Sequence, residues 1–399
     1  MAFLLPFVLL RVIRPALLEW TGLTQFQLGQ AFSAYGIVAM LAYLLGGPLA
    51  DRWPPRYLMS AALAATAIGA LAWWWAPSPG LLIGVYAYWG CTTILLFWAP
   101  LLRATREWGG PSFQGRAFGG LEAGRGLVAA ALATLLASGF AYWLPAAGPA
   151  QDSAALGSAV RAAIILSMLI TLFAAVLVWW QLPSQQLTDQ RPRQIPWGLW
   201  KQPVLWWQAA IIFCAYMGYK STDYWSQYAR DVLHVSHAQA AHIAAASFWL
   251  RPAAALVCGW LADRWSADRI CSLAFSCMAV GAAALACLPS GFMWAAALLL
   301  LGVTALGIYG LRGVYFSLTG QAGLPLAVTG AAVGWVSFWG FTPDVIAGPL
   351  YGAILDAYPQ AAGHRVINGG LAMLGVLGVF FVWRWRRAQP TLATTAMRP

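Results

Sequence analysis

Stretches of about twenty apolar residues follow one another along this chain, separated by short intervals of Gly, Pro and charge, and each is long enough to cross a bilayer as a helix. The spacing predicts helices over 1–18, 26–50, 57–76, 80–102, 116–143, 158–182, 203–229, 238–262, 270–288, 291–317, 327–354 and 365–387. Hydrophobic residues make up 61% and charged residues 9% of the chain, against about 45–50% and about 25% in soluble domains. The chain is therefore read as an all-α membrane protein with twelve transmembrane helices.

Leu-Ala-Asp-Arg-Trp occurs twice, at Leu49–Trp53 and Leu261–Trp265, each time directly after a long apolar run and at an offset of 212 residues. An offset near half the chain implies two copies of one six-helix unit, and a duplicated unit in lipid points to transport rather than catalysis. The longest polar interval lies between Gln181 and Gln202. The expected organisation is an N-terminal half over 1–182, a cytoplasmic linker over 183–202, a C-terminal half over 203–387 and a cytoplasmic tail over 388–399.

The net charge of +11 is explained by where the basic residues fall. Placing the first Leu-Ala-Asp-Arg-Trp in the cytoplasm gives that side fourteen Arg and Lys, from Arg52 to Arg398, while the opposite loops hold only Arg161, Arg230 and Arg365. This asymmetry fixes both termini as cytoplasmic, and the basic pI becomes a topology signal rather than a sign of nucleic-acid binding. The six cysteines all lie in predicted spans without Cys-x-x-Cys spacing and read as packing residues. No cleavable signal is evident, since the first run contains Arg11 and Arg14. Because that run barely spans, the start is expected to lie inside a longer first helix.

Tryptophan pairs such as Trp179–Trp180 and Trp206–Trp207 mark the headgroup level. Gly115–Gly119 and Gly120–Gly124 form Gly-x-x-x-Gly steps expected to admit a close neighbouring helix. No Gly-Lys-Ser/Thr follows, so a phosphate-cradling loop is not indicated.

The run from Gly46 through Leu-Ala-Asp-Arg-Trp-Pro-Pro to Arg56 resembles the signature loop between helices 2 and 3 of the major facilitator superfamily, and Gly259 to Arg269 resembles its second-half counterpart. The resemblance implies a latch between the halves, carried by Gly46, Asp51, Arg52, Arg56, Asp263 and Arg264, that biases the inward/outward equilibrium without touching substrate. Trp-Pro-Pro stands where Gly-Arg is common after the Asp-Arg pair. Gln114–Gly126, Tyr219–Tyr224 and Gly340–Asp344 are similar to YihN-like bacterial permeases, a branch that implies no particular cargo.

Nine charges fall away from the ends of predicted spans, toward mid-bilayer: Arg11, Arg14, Glu122, Arg125, Lys220, Asp223, Arg251, Arg312 and Asp344. Each costs about 2.5–3.5 kcal/mol at mid-bilayer, so each needs a partner, a wet cavity or a task. The resemblance places their helices among those facing a central cavity. The 212-residue offset sets Arg11 against Asp223 at one level. Glu122 with Arg125, and Lys220 with Asp223, are three residues apart, which fits either structural bridges or a working site. Six bases against three acids suit an anionic cargo held by arginine forks.

Arg251 lies twelve residues before Asp263, about 18 Å by helical rise and so near the midplane, and Pro252 beside it frees a backbone carbonyl. The candidate substrate-binding residues are Arg251, Arg312, Arg125, Lys220, Tyr219, Tyr224 and Arg11. The candidate proton-coupling carboxylates are Glu122, Asp344 and Asp223, whose pKa can rise on desolvation. Tyr216 and Tyr309 could join a pocket, although aromatics in spans more often pack helices.

His234-x-x-His237 is read as a solvated external loop rather than a zinc site, because no third and fourth ligands stand nearby. No metal, cofactor or nucleotide motif is indicated, and no catalytic set appears. The expectation is a monomeric secondary transporter of a bacterial inner membrane, moving a small anionic or zwitterionic organic solute by alternating access with proton coupling and surrounded by lipid. The alternatives are a proton-driven exporter of drug-like or siderophore-like compounds and a solute sensor on the same fold.

Overall fold

The computed structural model describes residues 1–74, 77–109, 114–144, 153–182, 201–289, 294–322 and 326–389. Among these the chain forms twelve helical rods, six in each half of the sequence. They are α1 (4–21), α2 (Gln25–Arg52), α3 (Pro55–Trp73), α4 (79–109), α5 (Gln114–Trp143), α6 (Ser153–Gln181), α7 (203–231), α8 (His237–Arg264), α9 (Ala267–Cys287), α10 (294–321), α11 (326–357) and α12 (Ala361–Ala388). The all-α membrane architecture expected from the apolar runs is thus the one observed.

Among the described residues, eight rods are apolar and long enough to cross a bilayer on composition alone. The other four are α1, α2, α7 and α11. Arg11, Arg14 and Glu19 interrupt α1, Lys220 and Asp223 interrupt α7, and α11 is split before Asp344, while part of α2 lies outside the described side chains.

Local chemistry sets the breaks. In α1 a π-helical stretch, Leu4–Leu9, gives way to α-helix, and Ile13 departs from helical geometry at φ −110° and ψ 18° just before Pro15. Proline has no N–H to return to the carbonyl four residues back, which is that of Arg11. Ser226 Oγ takes that role, donating to Arg11 O at 2.8 Å. In α7 a 3-10 turn, Thr222–Tyr224, separates two α segments, and in α11 a turn at 341–342 sits between Gly340 and Pro343.

The fold divides into two compact units that do not follow the chain midpoint. The first contains Met1–Gln190, Thr222–Trp249 and Asp344–Ala361; the second contains Arg191–Ser221, Leu250–Pro343 and Ala362–Pro399. Two of the divisions fall at the breaks of α7 and α11, and a third lies two residues before Pro252 in α8.

The first unit is built on Leu5, Leu10, Phe32, Tyr86, Trp89 and Phe140, joined by Phe248 of α8. Glycines let α2 meet α11 backbone to backbone: a Cβ at Gly29 would lie 2.3 Å from Gly348 O, and one at Gly352 would lie 2.4 Å from Gln25 O. In the second unit Gly307 does the same for α10 against α9, its Cβ position lying 2.5 Å from Ala274 O. The expected close approach at the α5 motif is not found: Gly120 and Gly124 have nothing within 4 Å, while Gly115 and Gly119 lie outside the described side chains. At Gly120 and Gly124 the spacing is right for a helix contact, but no described neighbour comes close.

Candidate functional site

In the second unit, α7 carries Tyr216 and Tyr219 one turn apart, and α10 carries Tyr309 and Arg312 in the same register. Gly310 and Gly313 flank Arg312 and bring α10 close to α8, since their Cβ positions fall 2.6 Å from Cys258 Sγ and 2.9 Å from Ala255 Cα. The guanidinium of Arg312 consequently lies 4.0 Å from the centre of the Tyr219 ring and 5.4 Å from that of Tyr216. Arg251, from α8, lies 6.0 Å from the same Tyr219 ring.

Tyr219 packs against Tyr216 at 5.5 Å and Tyr309 at 6.4 Å, and Tyr216 against Phe341 at 4.8 Å. Lys220 is buried in the last turn of the Pro203–Ser221 segment, where the helix dipole favours a cation. Two guanidiniums approach one aromatic ring, whose face attracts cations. Chemically, this cluster suits a carboxylate, phosphate or sulfonate.

The first unit holds a different set. Arg11 and Asp223, 212 residues apart, form a fully buried ion pair in which Nε donates to Oδ1 at 2.7 Å and Nη2 approaches the same oxygen. Phe248 lies 5.1 Å from the Arg11 guanidinium. One turn on, Arg14 donates from Nε to Gln25 Oε1 at 2.8 Å and stacks 3.8 Å over Tyr224, whose hydroxyl donates to Gly348 O at 3.0 Å.

Toward the end of α1, His237 Nε2 meets Glu19 Oε2 at 2.9 Å. Asp356 of α11 accepts the backbone N–H groups of Gln25 and Phe26 at 3.0 and 2.8 Å, completing the α2 N-terminus that Thr24 and Gln27 already cap as a reciprocal box. These groups border a cavity of about 310 Å³ lined by Glu19, Gln25, Arg230, Asp231, His237 and Asp356 among others. The reading of the His234–His237 stretch as solvated is corrected for His237: it is buried and opens α8, because its partner Glu19 reaches it from α1.

The residues singled out from sequence therefore separate. Arg251, Arg312, Lys220 and Tyr219 belong to the second unit; Arg11, Asp223, Tyr224, Arg125 and Asp344 belong to the first. Arg125 is half-buried, with its guanidinium 4.7 Å from the Trp98 ring. Asp344 is half-buried in the first turn of Pro343–Ala357, and Gly36 of α2 presses on its backbone.

The side chains of Glu122, Gly46 and Asp51 lie outside the described residues, as does the linker over 183–200. Of the other latch candidates, Arg52, Asp263 and Arg264 are exposed, and Arg56 stacks 4.8 Å from Trp179. Sequence reasoning did not select Glu19, His237, Gln25 or Asp356. At the ends of spans charged and polar residues are ordinary, and only their partners 218 to 331 residues away distinguish these four.

Two sets of six helices with cations and a carboxylate buried within them, not only at their ends, define a polytopic membrane carrier. The chain belongs to the Major Facilitator Superfamily, whose family model matches residues 1–343, and it is accordingly a transporter rather than an enzyme. It is 24% identical over 396 residues to the inner membrane protein YqcE of Escherichia coli strain K12, covering 95% of this chain and 90% of that one. It is 26% identical over 376 residues to the inner membrane protein YihN of the same strain, covering 90% and 86%. A D-xylose-proton symporter structure superposes with a TM-score of 0.73 at 14% identity, covering 96% of this chain and 95% of that one, a likeness of fold alone.

Proposed function

We propose that this transporter carries a small organic anion by alternating access across a bacterial inner membrane, and that Arg251, Arg312, Lys220 and Tyr219 bind the anionic group. The observation that carries the reading is the pair of guanidiniums on one tyrosine ring, with buried Lys220 the next residue along the same helix. The inner membrane and cytoplasmic termini are supported by the names of YqcE and YihN and by the fourteen-to-three distribution of basic residues. Arg11 and Asp223 serve each other in this reading and not the solute.

Purified protein is expected to melt at a higher temperature with sugar acids, phosphate esters or alkyl sulfonates, because a ligand of the native state stabilises by mass action. Arg312→Ala and Arg251→Ala should each weaken that response by about tenfold or more, the value of a lost charged hydrogen bond. Movement of lipophilic cations but not anions in proteoliposomes would refute the anion assignment.

Proton coupling is assigned to Asp344, which stands at the break of α11 where its exposure can change between conformations. Asp344→Asn should abolish accumulation driven by a pH gradient while leaving counterflow exchange intact. An unchanged dependence on the gradient removes Asp344 from the coupling path and transfers the same experiment to Glu122→Gln.

A further inference from the structure

Arg11 and Arg14 lie one turn apart on α1, yet among the described residues only Arg11 faces a carboxylate. Arg14 is fully buried, and apart from its Nε bond to Gln25 both terminal nitrogens are buried without a hydrogen-bond partner among the described residues. The ring of Tyr224 at 3.8 Å and that of Phe32 at 5.8 Å offset part of the lost hydration. They do not replace the acceptors that a dehydrated guanidinium requires, so the charge raises the free energy of the arrangement that buries it.

That arrangement is made of links between distant parts of the chain, all within the first unit. Arg11 pairs with Asp223, Ser226 bonds Arg11 O, Glu19 meets His237, and Asp356 accepts from Gln25 and Phe26. The two polar side chains that touch Arg14 belong to the same seam: Gln25 through its backbone to Asp356, and Tyr224 through its hydroxyl to Gly348. Parting the seam would return Arg14 to water and remove its cost, whereas the other links all favour closure.

We infer that Arg14 is a gating residue, a buried and only partly compensated charge that destabilises the seam between the ends of α1, α2, α7 and α11 and thereby sets how readily it opens. The inference holds whichever solute is carried. It predicts opposite effects from two arginines one turn apart. Arg14→Met removes an unsatisfied charge and should tighten the seam; Arg11→Met strands Asp223 and should loosen it.

Hydrogen exchange of the full-length protein in lipid nanodiscs, read on peptides covering 25–36 and 344–357, tests this directly. Arg14→Met is expected to slow exchange there by about tenfold, raise the melting temperature and lower the turnover rate. Arg14→Lys, which keeps the charge, should retain rapid exchange. If Arg14 were instead structural cement, exchange would quicken and both melting temperature and turnover would fall. Arg14→Gln is neutral and decides the matter should the methionine variant not fold: unchanged or faster exchange in the neutral variants overturns the assignment.

Discussion

Arg11→Met is expected to be among the most damaging single substitutions in this protein, lowering its stability by about 3–5 kcal/mol. The loss comes less from the attraction removed than from what is left behind: Asp223 is buried, and the guanidinium that satisfies its Oδ1 is the one deleted. A carboxylate stranded in an apolar interior must remain charged without compensation or take up a proton, and either course is costly. The partner change Asp223→Leu should be comparably damaging, because it strands Arg11.

The double variant Arg11→Met with Asp223→Leu, by contrast, should recover most of the stability, since replacing both members of a buried pair by apolar residues of similar size is often neutral. Thermal melts of the four proteins in detergent form a double-mutant cycle, and additive losses would show that the pair is not energetically coupled. The same proteins separate structure from transport. If Asp223 carried the coupled proton, the recovered double variant would be stable yet unable to use a pH gradient. If the pair only joins α1 to α7, gradient-driven uptake should persist.

Much of this architecture can be read from residue pattern. Apolar runs placed all twelve rods, and the breaks within them lie at proline and glycine, Pro15 in α1 and Gly340 with Pro343 in α11. The duplicated pentapeptide even aligned Arg11 with Asp223, at an offset equal to their separation. What that alignment could not reveal is that the two residues meet rather than occupy equivalent positions.

Pairing by local spacing was less informative. Asp223 stands three residues from Lys220, but α7 leaves α-helical geometry at Thr222, and Asp223 accepts Nε of Arg11 from α1. The cation cluster was half legible: Arg251, Arg312 and Tyr219 could each be chosen as polar residues in apolar spans. Their assembly on one ring depends on Gly310 and Gly313 drawing α10 to α8, which no periodicity encodes. Glycine spacing misled at Gly120 and Gly124, where a Gly-x-x-x-Gly step meets open space.

That contrast between glycines yields a second large effect of predictable sign. Gly29→Ala places a Cβ 2.3 Å from Gly348 O and 2.5 Å from Gly348 C. Both are backbone atoms of α11 and cannot swing aside as a side-chain tip could. Relief requires α2 and α11 to move apart, which costs about 1–3 kcal/mol by analogy with overpacked cores and strains neighbouring contacts. The same displacement would pull Asp356 from the backbone of Gln25 and Phe26 and expose the α2 N-terminus.

Gly120→Ala should do the reverse, because nothing lies within 4 Å of its Cβ position and alanine stabilises a helix interior by about 0.5–1 kcal/mol relative to glycine. Thermal melts of the two variants should therefore move in opposite directions. Hydrogen exchange should quicken around 25–36 and 344–357 in Gly29→Ala alone. Equal melting temperatures for the two would mean that α2 and α11 tolerate separation, and that the glycine contact does not hold this end of the first unit together.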